Sequence, residues 1–287
     1  MSVPKVRVAI IDLYNNEPNQ GMRCIKDLIR SCDREFEDVE VTYKVFETRY
    51  REEIPRYEDF DIYISSGGPG SPFDGEGKRW EARYFELIER IWSHNQNGPT
   101  HGDGRFKHVF FICHSFQMMA RFFDFATIQK RRNQSFGILP IVKTDDADRD
   151  FLLSPLPETY YVADFRQYEV IEPNYQRLDE LGAAILSKEK MRILPELEKA
   201  LMAVRVSDQF IGTQYHPEAD PISMLYHFNQ PERKEQVVQE HGEEKYYEML
   251  AHLRDPKNIL LTRKLVLPRF LRQTVQSFFP EYATVEE

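Results

Sequence analysis

Cysteine is scarce. Cys24, Cys32 and Cys113 are the only three in 287 residues, and neither a paired secreted framework nor a CxxC metal motif can be built from them. A reducing, cytoplasmic setting is the expectation. Positive charge is also short: 38 Lys and Arg against 47 Asp and Glu leave a net charge of −9. That balance argues against a broad nucleic-acid or anionic-membrane surface, so neither is an expected partner. Long apolar runs are missing, since stretches such as 8–11 and 109–112 fall far below the roughly 20 residues of a spanning helix, and no signal core precedes the first. Neither a GxGxxG nor a Walker pattern occurs, and no histidine has the spacing of a metal set. No cofactor and no metal are expected.

What the chain does have is an ordinary globular mixture, 41% hydrophobic and 13% aromatic, arranged in alternating periods. Residues 6–13, VRVAIIDL, are apolar on both faces, as in a central strand of a parallel sheet. In residues 21–32, Met22, Ile25, Leu28, Ile29 and Cys32 recur three or four apart, the spacing of one helix face. Residues 39–46 return to a period of two. Strand, helix, strand with short connections predicts a right-handed βαβ unit. Strands are expected again at 61–65 and 108–112, a helix at about 79–92, a second beginning at His114, and a surface loop or lid at 93–104 (SHNQNGPTHGDG). Short strand candidates between 137 and 214 extend the sheet with some antiparallel pieces.

Three places carry chemistry. Cys113 falls between an apolar strand and a helix, where first-turn N–H groups favour a thiolate and can donate to an oxyanion. Gly67-Gly68-Pro69-Gly70 ends another strand, and its glycines let N–H donors approach a ligand. In Gly212-Thr213-Gln214-Tyr215-His216-Pro217-Glu218, His216 could serve as base and acid, and Glu218, two residues on in extended chain, projects to the same side to orient it.

At these three places the sequence resembles the class I, triad-type glutamine amidotransferases, the type also found in the glutaminase parts of guanylate synthase, anthranilate synthase and carbamoyl-phosphate synthase. The resemblance rests on ISSGGPGSP, FICHSFQMM and GTQYHPEAD, in that order. It implies a flavodoxin-like α/β three-layer sandwich with a mostly parallel central sheet. It also implies a nucleophile at Cys113, base and orienter at His216 and Glu218, oxyanion N–H groups at Gly68 and His114, and glutamine binding at Gly68 and Gln117. The family elbow usually reads Gly-x-Cys-x-Gly-x-Gln; here Phe111 and Ser115 stand at the glycine positions, and Gln117 is retained. The implied reaction is hydrolysis of the glutamine side-chain amide through a cysteine thioester. Ammonia would pass to an acceptor on a separate synthetase chain. Alternatives are hydrolysis of another γ-glutamyl or small amide, or a catalytically weak binding protein on the same fold.

The family-like domain is expected over residues 1–225, followed by a helical C-terminal extension over 226–287. Residues 231–253 and 256–279 carry apolar residues at helical intervals, among them Leu260, Leu265, Leu271 and Val275. Their stripe must be buried, either against the chain's own core or in a homodimer.

Overall fold

The computed structural model describes residues 3–99, 104–190 and 198–279. Nine strands form one sheet: β1 (Lys5–Asp12), β2 (Glu40–Glu47), β3 (Ile62–Ser65), β4 (His108–Ile112), β5 (Ala126–Lys143), β6 (Thr159–Pro173), β7 (Ala184–Glu189), β8 (Leu201–Ser207) and β9 (Phe210–Thr213). Their order is β2-β1-β3-β4-β9-β8-β7-β5-β6. From β2 to β9 all pairings are parallel, and from β9 through β6 all are antiparallel. The helices are α1 (Gly21–Asp33), α2 (Thr48–Arg51), α3 (Arg79–Gln96), α4 (His114–Phe123), α5 (Tyr175–Leu181), α6 (Pro221–Phe228), α7 (Pro231–His241), α8 (Glu243–Arg254), α9 (Pro256–Leu265) and α10 (Leu267–Phe278).

The sheet is covered on both faces, which explains its unbroken apolar strands. On β1, Val6, Val8 and Ile10 pack with Met22, Ile25 and Ile29 of α1 and with Leu267, Phe270 and Leu271 of α10. Ala9 and Ile11 face the other way, toward Tyr84, Leu87 and Ile91 of α3 and Phe116 and Met119 of α4. A third cluster joins α6 to α9 with the β5–β6 hairpin through Phe136, Ala163, Met224, Tyr246, Met249 and Ile259. The three-layer α/β sandwich is as expected.

Three expectations change in detail. Helix α3 continues to Gln96, because Asn95 is buried with its side-chain amide bonded to both backbone groups of Lys107, so the proposed lid loses its first four residues. Residues 100–103 of that segment lie outside the described ones. The two long C-terminal segments break into four helices at Gly242, with φ +88°, and ahead of Pro256 and Pro268, where proline has no N–H to continue a ladder. The apolar stripe of α10 is spent within the chain: Phe270 meets Phe110 of β4 edge-on at 5.1 Å, and Leu271 and Val275 are fully buried. Leu265 packs at the margin of the same core.

Candidate active site

Parallel strands end in loops on one side of the sheet, and open α/β sheets bind ligands beyond those carboxyl ends. Four such ends meet here: Tyr14 after β1, Gly67 and Gly68 after β3, Cys113 after β4, and His216 after β9. They border a cleft of about 710 Å³ whose lining includes Tyr14, Gly68, Cys113, His216, Glu218 and Cys24.

Cys113 takes φ 50° and ψ −98° as the cap of α4, a strained conformation for a side chain with a Cβ. Three hydrogen bonds hold it. Cys113 N–H donates to Thr213 O at 2.8 Å, the Ser115 hydroxyl accepts from Ile112 N–H at 2.8 Å, and it donates to Ser65 O at 2.7 Å. Ser115, at one of the family's glycine positions, thus stitches α4 to two strands. Phe111, at the other, lies beside Gly212 in the β4–β9 register. A Cβ on Gly212 would stand 2.7 Å from Phe116 and 2.9 Å from Met119; the room beneath the elbow comes from the neighbouring strand instead.

His216 is fixed by its backbone and its ring. Its N–H donates to Ala163 O at 3.0 Å, and its Nδ1 lies 2.8 Å from Glu218 Oε1. Burial opposes charge on this imidazole, but the Glu218 carboxylate, then Cys113, favour the protonated ring so strongly that its pKa stands well above the ordinary 6.5. His114 differs. It is 2% exposed, neither ring nitrogen has a partner among the described residues, and burial, aided by Arg49 and Arg121, lowers its pKa to about 3. Its neutral ring leaves the backbone N–H as the group His114 offers at the elbow.

The glycine turn approaches more closely than its sequence suggested. A Cβ on Gly67 would lie 2.8 Å from His216 Cε1 and 3.6 Å from Cys113 Cβ, and one on Gly68 would strike Leu13 O at 2.4 Å. Arg49 holds this turn by donating to Pro69 O at 2.7 Å and Leu13 O at 3.2 Å, and Arg121 of α4 donates to Pro72 O. Behind the sulfur, Gln214 Nε2 lies 3.8 Å from Cys113 Sγ, and Gln117 Nε2 donates to Gln214 Oε1 and Tyr168 O, each at 3.3 Å. Gln117 is buried and does not line the cleft, so it reaches the thiol side of the site through Gln214.

Sequence reasoning gave no role to Tyr14, Gln214 or Arg49, and within the glycine turn it singled out Gly68 rather than Gly67. Tyr14 was findable, as the second residue past β1 on the carboxyl side of the sheet; burial, then the charges of Glu218 and Cys113, hold its hydroxyl protonated well above the usual tyrosine range. The other two cysteines are poor competitors as nucleophiles. Burial raises the Cys24 thiol, Arg23 notwithstanding, and pushes Cys32 up to about 12.

A cysteine elbow, a glycine turn and a histidine–carboxylate pair at the carboxyl edge of a flavodoxin-like sheet form an arrangement suited to acyl transfer. The model of the family "Glutamine amidotransferase class-I" matches residues 23–230, and the chain belongs to that family, whose activity is of the amidotransferase or glutaminase type. A glutamine amidotransferase from Thermotoga maritima is similar in structure, with TM-score 0.67 and 16% identity, over 94% of this chain and 98% of that one. A glutamine amidotransferase from Methylobacillus flagellatus has TM-score 0.62 and 13% identity over 96% of each chain. The glutaminase domain of Trypanosoma brucei CTPS, solved with bound acivicin, has TM-score 0.52 and 13% identity, covering 74% of this chain and 86% of that one. No curated protein sequence matches the chain.

Proposed function

We propose that the protein hydrolyses the side-chain amide of glutamine through a thioester on Cys113. The observation that carries this reading is the convergence of Cys113, the Gly67–Gly68 turn and the hydrogen-bonded His216–Glu218 pair on one cleft. Cys113 Sγ attacks the carboxamide carbon, and the resulting oxyanion accepts from the N–H groups of Gly68 and His114. His216, held by Glu218, gives its proton to the departing nitrogen, and ammonia leaves. Water then attacks the γ-glutamyl thioester, His216 takes its proton, and the thiolate departs from glutamate. Gly68 faces the substrate, whereas Gln117 orients Gln214 behind the sulfur.

The test is release of glutamate and ammonia from glutamine by the wild type, Cys113→Ala and His216→Ala, with circular dichroism to check folding. Both variants should fold and lose at least about a hundredfold in kcat. Folded Cys113→Ala turning glutamine over at the wild-type rate would overturn the reading.

One observation favours a second reading within the same chemistry. The cleft lining includes the apolar side chains of Phe165, Met224 and Phe228, which suits a γ-glutamyl amide with a larger amine. A higher kcat/KM for a γ-glutamyl anilide than for glutamine would establish it.

If ammonia is passed on, a separate synthetase chain is the recipient we propose. We propose a division near residue 225, with residues 226–287 a C-terminal extension; His227, Phe228 and Arg233 of that extension line the cleft. Leu265, Leu271 and Val275 pack against the chain's own core, so association in a homodimer would fall to the exposed pair Ile222 and Tyr226, 77% and 75% exposed. A reducing, cytoplasmic compartment suits a chain whose three thiols are all free.

A further inference from the structure

We propose that Arg263, on α9 and beyond the residues matched to the family, is a positioning residue for the His216–Glu218 pair. The inference rests on the proposed roles of Cys113, His216 and Glu218. Three observations carry it.

First, the Arg263 guanidinium donates to the backbone carbonyl of Glu218, an ion-to-dipole hydrogen bond stronger than a neutral one. Second, the Glu218 carboxylate has little else to hold it. Oε1 meets His216, and Oε2, fully buried, has no partner among the described residues. Where the carboxylate stands is therefore set by the backbone at residue 218. Third, α9 is docked on the strand that holds His216. Thr262 Oγ1 donates to Tyr161 O at 2.7 Å, and two residues along β6 the carbonyl of Ala163 accepts from His216 N–H. One strand thus fixes the histidine directly and, through α9 and Arg263, its carboxylate partner. The Arg263 charge also favours the ionised forms of Asp220 and Cys24 at the cleft edge.

The consequence is that the C-terminal extension sets the geometry of the base. Losing the guanidinium should loosen Glu218 and weaken its hold on the imidazolium, while substrate binding, which Arg263 does not touch, is spared. The experiment uses the full chain with Arg263→Gln and Arg263→Lys. Two quantities are read: kcat and KM for glutamine, and the pH dependence of Cys113 alkylation by a glutamine-like electrophile, followed by peptide mapping. Arg263→Gln should lose roughly tenfold or more in kcat with KM within about twofold. Its alkylation profile should move to higher pH, since a less firmly held imidazolium supports the thiolate less well.

Arg263→Lys, which keeps the charge without the planar fork, should fall between the two in both measurements. A purely structural role would lower the melting temperature and leave the alkylation profile in place. Should Arg263→Gln not fold, the lysine variant decides by the same two readings. A folded variant with wild-type kcat and an unmoved profile overturns the inference while leaving the function intact. Failure to label Cys113 in the wild type would overturn both.

Discussion

His216 and His114 both adjoin Cys113, yet burial acts on them in different company. Glu218 and Cys113 hold a proton on His216, so Glu218→Gln should remove the larger of the two attractions and lower the pKa of that ring, a change that ring-proton NMR against pH would measure. The sign for stability follows: with a raised folded pKa, the His216 contribution is complete below the unfolded imidazole range and lost as pH rises through the folded value. For His114 the sign reverses, because its ring stays neutral down to about pH 3 in the fold and protonates near 6.5 when unfolded. Between those values the unfolded chain binds the extra proton, and stability falls with falling pH by up to about 1.4 kcal/mol per unit. Urea midpoints of His114→Leu should accordingly decline less steeply than wild type from pH 6.5 toward 4. An equal slope would remove His114 from the account. Gly67→Ala adds a Cβ that His216 Cε1 cannot accommodate without moving; it should cut kcat while the circular dichroism spectrum stays unchanged.

The strand-to-helix elbow is the element on which sequence and structure speak most differently. Phe111 and Ser115 stand where the family has glycine; the fold answers with Gly212 across the β4–β9 pairing and with the Ser115 hydroxyl between β3 and β4. Gly212→Ala should overpack Phe116 and Met119 and destabilise by about 1–3 kcal/mol, measurable as a shift in denaturant midpoint; no shift would mean the elbow relaxes freely. That compensation could not be read from the chain, because a strand neighbour about 100 residues away is a fact of topology rather than of spacing. Local period, by contrast, was legible. The stripe of α1 and the two-faced burial of β1 follow from residues 21–32 and 6–13 alone. The start of β5 was not, since Gln129, Lys130, Arg131 and Arg132 resemble a loop; there β6 pairing and the bonds from Arg131 to Glu169 and Glu189 keep a charged segment extended. Gly68, Cys113, His216 and Glu218 were legible for another reason: their chemistry tolerates few residue types, whereas Arg49 and Arg263 act through backbone carbonyls and leave no motif.

Across the whole molecule, the C-terminal helices belong to the core that supports the site. Phe270 of α10 is buried against Phe110 of β4, the strand that leads into Cys113. Phe270→Ala should cost about 3–5 kcal/mol of stability, with the molecular mass in solution unchanged; a change of oligomeric state at undiminished stability would instead restore the interface interpretation of residues 231–279. The same packing explains why α9 can influence His216 and Glu218 from outside the family-matched residues: β6 lies beside both.

Cys113 is the proposed nucleophile of a glutamine-accepting cleft, and Cys24, lining the same cleft, provides an internal control. Incubation of the folded protein with a glutamine-like electrophile, followed by intact mass and peptide mapping, distinguishes the three thiols. One adduct is expected, on Cys113, suppressed by excess glutamine; an adduct on Cys24, equal labelling of all three thiols, or labelling indifferent to glutamine would contradict the assignment of Cys113.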